Sequence, residues 1–139
     1  MKNKNVKIIF DTNVWISFLI GKRLSGIKEY IADGRITIVT TGQLIKEIQI
    51  VTARDKIKKY FPRETVCELI ELLETIAEKI EIQPTHFINR EREDNFILDL
   101  IEYSKVNYLV TGDKNLLEHI PFKTAEILTP KEFEEQFDR

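Results

Sequence analysis

At 139 residues, with 42% apolar and 32% charged side chains, the chain can build one two- or three-layer core beneath a charged surface. Its single cysteine, Cys67, excludes an internal disulfide and a cysteine-based zinc site, and no apolar run approaches the roughly 18 residues of a membrane span. The formal net charge is −2, yet residues 1–63 carry 13 Lys and Arg against 5 Asp and Glu, while residues 64–139 carry 8 against 18.

These quantities predict a single domain spanning residues 1–139. The apolar run from Val6 to Phe10 is too short for a signal-peptide core, so the expected location is cytoplasmic, with no membrane contact. The charge split is either scattered solvated charge or a basic face for phosphates beside an acidic site. Candidates for that face include Lys46, Arg54, Lys56, Lys58, Lys59 and Arg63. Cys67, set among apolar positions, is expected to be a small core residue.

In chain order, Val6 to Phe10 reads as a buried strand that stops at Asp11-Thr12-Asn13. Val14 to Ile20 reads as a helix ended by Gly21, and Leu24 to Ala32 as a second helix stopped at Asp33-Gly34. Ile36 to Val39 is β-branched and predicts a strand. Thr41 opens a helix that carries Leu44, Ile45, Ile48 and Val51 on one side and contains Glu47. Thr65 to Ile80 shows the clearest i, i+3, i+4, i+7 stripe, through Val66, Leu69, Ile70, Leu73, Ile76, Ala77 and Ile80. That stripe predicts core or a partner interface, with Ile80-Glu81-Ile82 as a short edge strand. Asp94 to Tyr103 reads as a helix, and Tyr108 to Val110 as a strand ending at Thr111-Gly112-Asp113. Ala125 to Leu128 reads as a last strand. A final helix follows, with Thr129 as cap, Pro130 at its first position and Glu132 at the capping-box site.

Strands alternating with helices indicate an α/β domain with a mostly parallel sheet, whose ligands bind beyond the carboxyl ends of the strands. Asp11 and Asp113 each follow a strand directly, so both are expected at the same sheet edge. Asp94 opens a helix, and Glu47 lies at the polar end of an apolar helical face. Each alone is accounted for as an N-cap or a solvated acid. Together they require a cation, because two like charges about 4 Å apart repel by roughly 4 kcal/mol at an effective dielectric of about 20. Oxygen-only ligands favour Mg2+ or Mn2+, as one or two ions, and such a site suits phosphodiester hydrolysis by metal-activated water. His86 and His119 fall in predicted loops and are expected at the surface.

Ile8-Ile9-Phe10-Asp11-Thr12-Asn13-Val14 resembles the opening motif of PIN-domain nucleases, and Thr111-Gly112-Asp113-Lys114-Asn115-Leu116-Leu117 resembles their closing motif. Thr41 to Ile48 resembles the helix that supplies a Glu, and Asp94-Asn95-Phe96-Ile97-Leu98 the helix start that supplies a third acid. The likeness covers essentially the whole chain and is nearest to the small VapC-like toxin components of toxin–antitoxin pairs. It implies a PIN-like three-layer sandwich: a central, mostly parallel sheet of four or five strands flanked by helices. It also implies single-stranded RNA as substrate, Mg2+ or Mn2+ as cofactor, and Asp11, Glu47, Asp94 and Asp113 as the metal-binding and catalytic acids. Asn13 and Thr111 would orient those carboxylates. Lys46, Arg54 and Lys56 would bind the RNA backbone. A cognate antitoxin protein is the implied partner. A homodimer is expected, through the Thr65–Ile80 helix or the Val14–Ile20 segment. Asp99, about 140° round the helix from Asp94, is expected at a surface or interface. Asn115 stands where family members often have a further Asp.

Two alternatives belong to other classes. One is a PIN fold used only as an RNA-binding module or scaffold, which retention of all four acids argues against. The other is a Mg2+-dependent phosphatase-like domain. That chemistry wants a second Asp two residues after Asp11, where this chain has Asn13.

Overall fold

The computed structural model describes residues 5–56, 58–81, 95–113 and 125–137. Its strands are β1 (Val6–Phe10), β2 (Ile36–Thr40), β3 (Glu78–Lys79), β4 (Tyr108–Val110) and β5 (Glu126–Leu128). Its helices are α1 (Thr12–Ile20), α2 (Leu24–Ala32), α3 (Gly42–Thr52), α4 (Arg63–Thr75), α5 (Asn95–Ser104) and α6 (Pro130–Phe137), with a 3-10 turn at Lys58–Tyr60. The strands form one sheet in the order β3-β2-β1-β4-β5, and every neighbouring pair is parallel. This is the expected three-layer sandwich, with five strands and all of them parallel.

β1 lies at the centre because it is apolar on both faces. Ile8, Ile9 and Phe10 are fully buried, as a strand covered by helices on each side must be. On one face the Phe10 ring sits edge-on to Trp15 and Phe18 of α1 and Phe133 of α6, with centroids 5.0, 5.2 and 5.1 Å away. Ile9 points to the opposite face. α5, between β3 and β4 in the chain, buries Ile97, Leu100 and Ile101. α6 begins with the capping box expected of it: Glu132 N–H donates to Thr129 Oγ1 at 3.1 Å, and Thr129 N–H donates to Glu132 Oε1 at 2.8 Å.

Three expectations are corrected. The Thr65–Ile80 helix spans Arg63–Thr75 instead, and the edge strand is Glu78–Lys79 rather than residues 80–82. The sheet decides this: Ile80 N–H donates to Thr40 O at 2.8 Å, which pulls the chain out of the helical repeat and leaves Ile76 57% exposed. Cys67 is exposed, not core, because it lies two residues from inward-facing Leu69 and so points to the other side of α4. The apolar side chains of Val14–Ile20 are buried within this chain's own core, apart from Ile20. Among the described residues no helix is long and apolar enough to cross a membrane. Asp94, Asn115, His86 and His119 lie outside the described residues, and Asp99 belongs to α5.

Candidate active site

Strand order runs outward from β1 through β2 to β3, then resumes on the other side of β1 with β4 and β5. The reversal lies between β1 and β4, and open α/β sheets bind ligands beyond the carboxyl ends of the strands at such a point. Phe10 is in register with Val110, so Asp11 and Thr111 leave the sheet side by side. The ladder extends one step past each strand: Asp11 N–H donates to Val110 O at 3.0 Å, and Thr111 N–H to Leu128 O at 2.8 Å. Backbone bonding therefore fixes both residues before any side-chain interaction is considered.

Asp11 is also the N-cap of α1. Its backbone is extended, its carbonyl accepts from Val14 and Trp15 N–H, and its Oδ1 accepts from Thr12 N–H at 2.6 Å. Its Oδ2 accepts from Thr111 Oγ1 at 2.8 Å. Thr111 is fully buried and its Oγ1 also accepts from Asp113 N–H at 3.0 Å, so one hydroxyl ties the two aspartates' backbone and side chain together. Burial pushes the Asp11 carboxyl above its ordinary value. The Thr111 and Thr12 hydrogen bonds oppose that rise, and the Asp113 charge adds to it.

Glu47 joins from a third element. Thr41 caps α3, and the second turn of that helix sets Glu47 beside the start of α1, where Thr12 Oγ1 donates to Glu47 Oε1 at 2.9 Å. Thr12 thus links Asp11 and Glu47 through its own N–H and hydroxyl, a role the sequence reading did not give it. Thr12 is the first helical residue after the N-cap carboxylate and is buried at the helix start, but its partner Glu47 is distant in sequence. Asn13 is exposed, while Thr12 and Thr111 donate to Asp11 and Thr12 donates to Glu47. Lys46 is exposed on α3 next to Glu47. Arg54 and Lys56 lie past the end of α3, with Arg54 about 10 Å further along the axis than Glu47. Among the described residues no three His, Cys, Asp or Glu side chains form a compact metal-holding group.

A sequence model of the PIN domain matches residues 7–115, a span that starts inside β1 and ends just past Asp113. The chain belongs to the PIN-domain family. PIN domains are generally nucleases, and those nucleases typically use divalent metal ions. This PIN domain is also similar to the uncharacterized protein MJ1680 of the archaeon Methanocaldococcus jannaschii, at 27% identity over all of this chain and 96% of that protein.

Proposed function

We propose that this PIN domain is a Mg2+- or Mn2+-dependent endoribonuclease that cuts single-stranded RNA, with Asp11, Glu47, Asp94 and Asp113 as its acids. The observation that carries the reading is Asp11. Its carboxylate is held by one donor on each oxygen, at the sheet's reversal point, beside a second carboxylate whose charge opposes its ionisation. A protein without use for the pair would have no reason to bury and orient Asp11 against Asp113. The donor set fits a hard cation, being all oxygen and bearing excess negative charge. Asp11 and Asp113 would hold the ion, with Glu47 and Asp94 completing its surroundings. A bound divalent cation would neutralise charge on the scissile phosphate and activate water.

The residues themselves do the positioning. Thr111 and the Thr12 N–H fix both oxygens of Asp11, so that each keeps its remaining lone pair aimed by the sheet and not by a flexible rotamer. Thr12 Oγ1 sets Glu47 against the same helix start. Lys46 offers a cation for the phosphate backbone, an attraction that is blind to sequence and weakened by salt.

The VapC-like motif order supports a toxin role held in check by an antitoxin protein. The exposed Ile76 beyond α4 supports a homodimer through that side. The match of MJ1680 along the whole chain supports a single domain over residues 1–139. The deciding experiment is cleavage of a labelled single-stranded RNA. Activity is expected with Mn2+, none with chelator, and none for Asp11→Asn with Mn2+. Cleavage that persists in chelator, or in Asp11→Asn, overturns the reading.

A further inference from the structure

Away from the acids, a groove of about 660 Å3 lies between the end of α3 and the start of α4. That volume is typical of a site for a ligand with a few rings. Phe61, Val66 and Ile70 give it an apolar floor, Gln49 and Glu71 offer hydrogen-bonding groups, and Lys58 and Arg63 stand in its lining as cations. Residues 54–60 beside it are rich in cations and carry Tyr60, with Asp55 3.5 Å from the Lys58 ammonium, while α4 adds the exposed acids Glu64 and Glu68. Arg54, Lys56 and Lys59 are exposed, and Tyr60 is 56% exposed with the Lys59 ammonium 5.3 Å from its ring centre.

We propose that this groove is a second RNA subsite, one that holds an unpaired base of the strand being cut. Single-stranded RNA is recognised by splayed bases that stack on aromatic rings and bond along their edges, while cations track the phosphates. The groove supplies each part: Phe61 for stacking, Gln49 and Glu71 for base edges, Lys58 and Arg63 for phosphate, with the exposed Tyr60 ring next in sequence to Phe61. An acidic peptide would use the cations but has no need of paired amide and carboxylate groups on an aromatic floor. α3 supplies the path. Lys46, Gln49 and Ala53 are exposed at i, i+3, i+7 spacing, so they share one face leading from beside Glu47 to the groove. Ala53 is about 9 Å beyond Glu47 along the axis, a distance that a single strand covers in a few nucleotides. The inference rests on RNA being the substrate and adds where the strand is held.

Cys67 provides the test, because it lines the groove, is exposed, and is the chain's single cysteine. Its reaction with an aromatic disulfide reagent is timed in chelator, with and without a saturating 12-nucleotide single-stranded RNA. RNA should slow the reaction about tenfold. A Lys58→Glu/Arg63→Glu variant should lose that protection and bind the labelled RNA about tenfold more weakly by anisotropy, with a salt slope lower by about two. An unchanged Cys67 rate overturns the proposal, and so does equal protection by poly-glutamate, which has charge but no bases. Cleavage of the same RNA with Mn2+ is scored separately. Cleavage without protection removes the groove and keeps the nuclease, whereas protection without cleavage keeps the groove and removes the nuclease.

Discussion

Asp11 carries two opposed demands. As an N-cap it favours folding, yet as a buried carboxylate facing Asp113 it is costly when charged. Its pKa is raised in the fold, so the native state holds its proton more tightly than the unfolded chain. Its contribution to stability therefore falls as pH rises from its ordinary value of 3.8 through the raised one. Asn is as good an N-cap as Asp and carries no charge. In chelator, Asp11→Asn is expected to raise the melting temperature at neutral pH, with the gain vanishing below 3.8. A variant that melts lower than its parent at neutral pH would contradict this. Thr111→Val keeps shape but removes the hydroxyl shared by Asp11 and Asp113 N–H. Loss of such an orienting group is expected to lower metal affinity or cleavage rate about 10–100-fold, read by steady-state assay at varied Mn2+. Asp11 and Asp113 were legible in the sequence because strand-ending motifs mark them. Thr12 was not, because its partner Glu47 lies 35 residues away and only the fold brings them together.

Among the elements, those with local signals were the readable ones. α2 was anticipated end to end, and α6 announced itself through its capping box. Thr129→Ala is expected to cost about 1 kcal/mol, lowering the melting temperature by about 4 °C in a thermal scan. α6 also carries Phe133 onto the Phe10 ring, so fraying at its start loosens the central strand's cover. The boundary of α4 was misjudged for the opposite reason. Its apolar repeat continues past Thr75, but pairing of β3 with β2 is a long-range fact that no window of sequence displays. Cys67 was misplaced by counting apolar neighbours where helical phase was the better guide.

Across the whole molecule, alternation of strands and helices was enough to give a mostly parallel α/β sheet and the common edge of Asp11 and Asp113, while the three-layer sandwich came from the resemblance to PIN domains. The strand order was not readable, since nothing local says that β4 returns to the far side of β1. That return puts the reversal of strand order beside Asp11. A cation bound there stabilises only the folded chain, by about 2.7 kcal/mol at a concentration a hundredfold above its dissociation constant. Mn2+ is accordingly expected to raise the melting temperature of the parent protein and not of Asp11→Asn, as measured by calorimetry.

The Asp11–Thr111 hydrogen bond spans 100 residues of chain. Contacts so distant in sequence form late, after the entropy of closing the intervening loop has been overcome. A growing polypeptide that has emerged only as far as α4 holds Asp11 and Glu47 but has no β4 to align them. On the proposed nuclease reading, the site stays unassembled, and RNA uncut, until synthesis has passed β4.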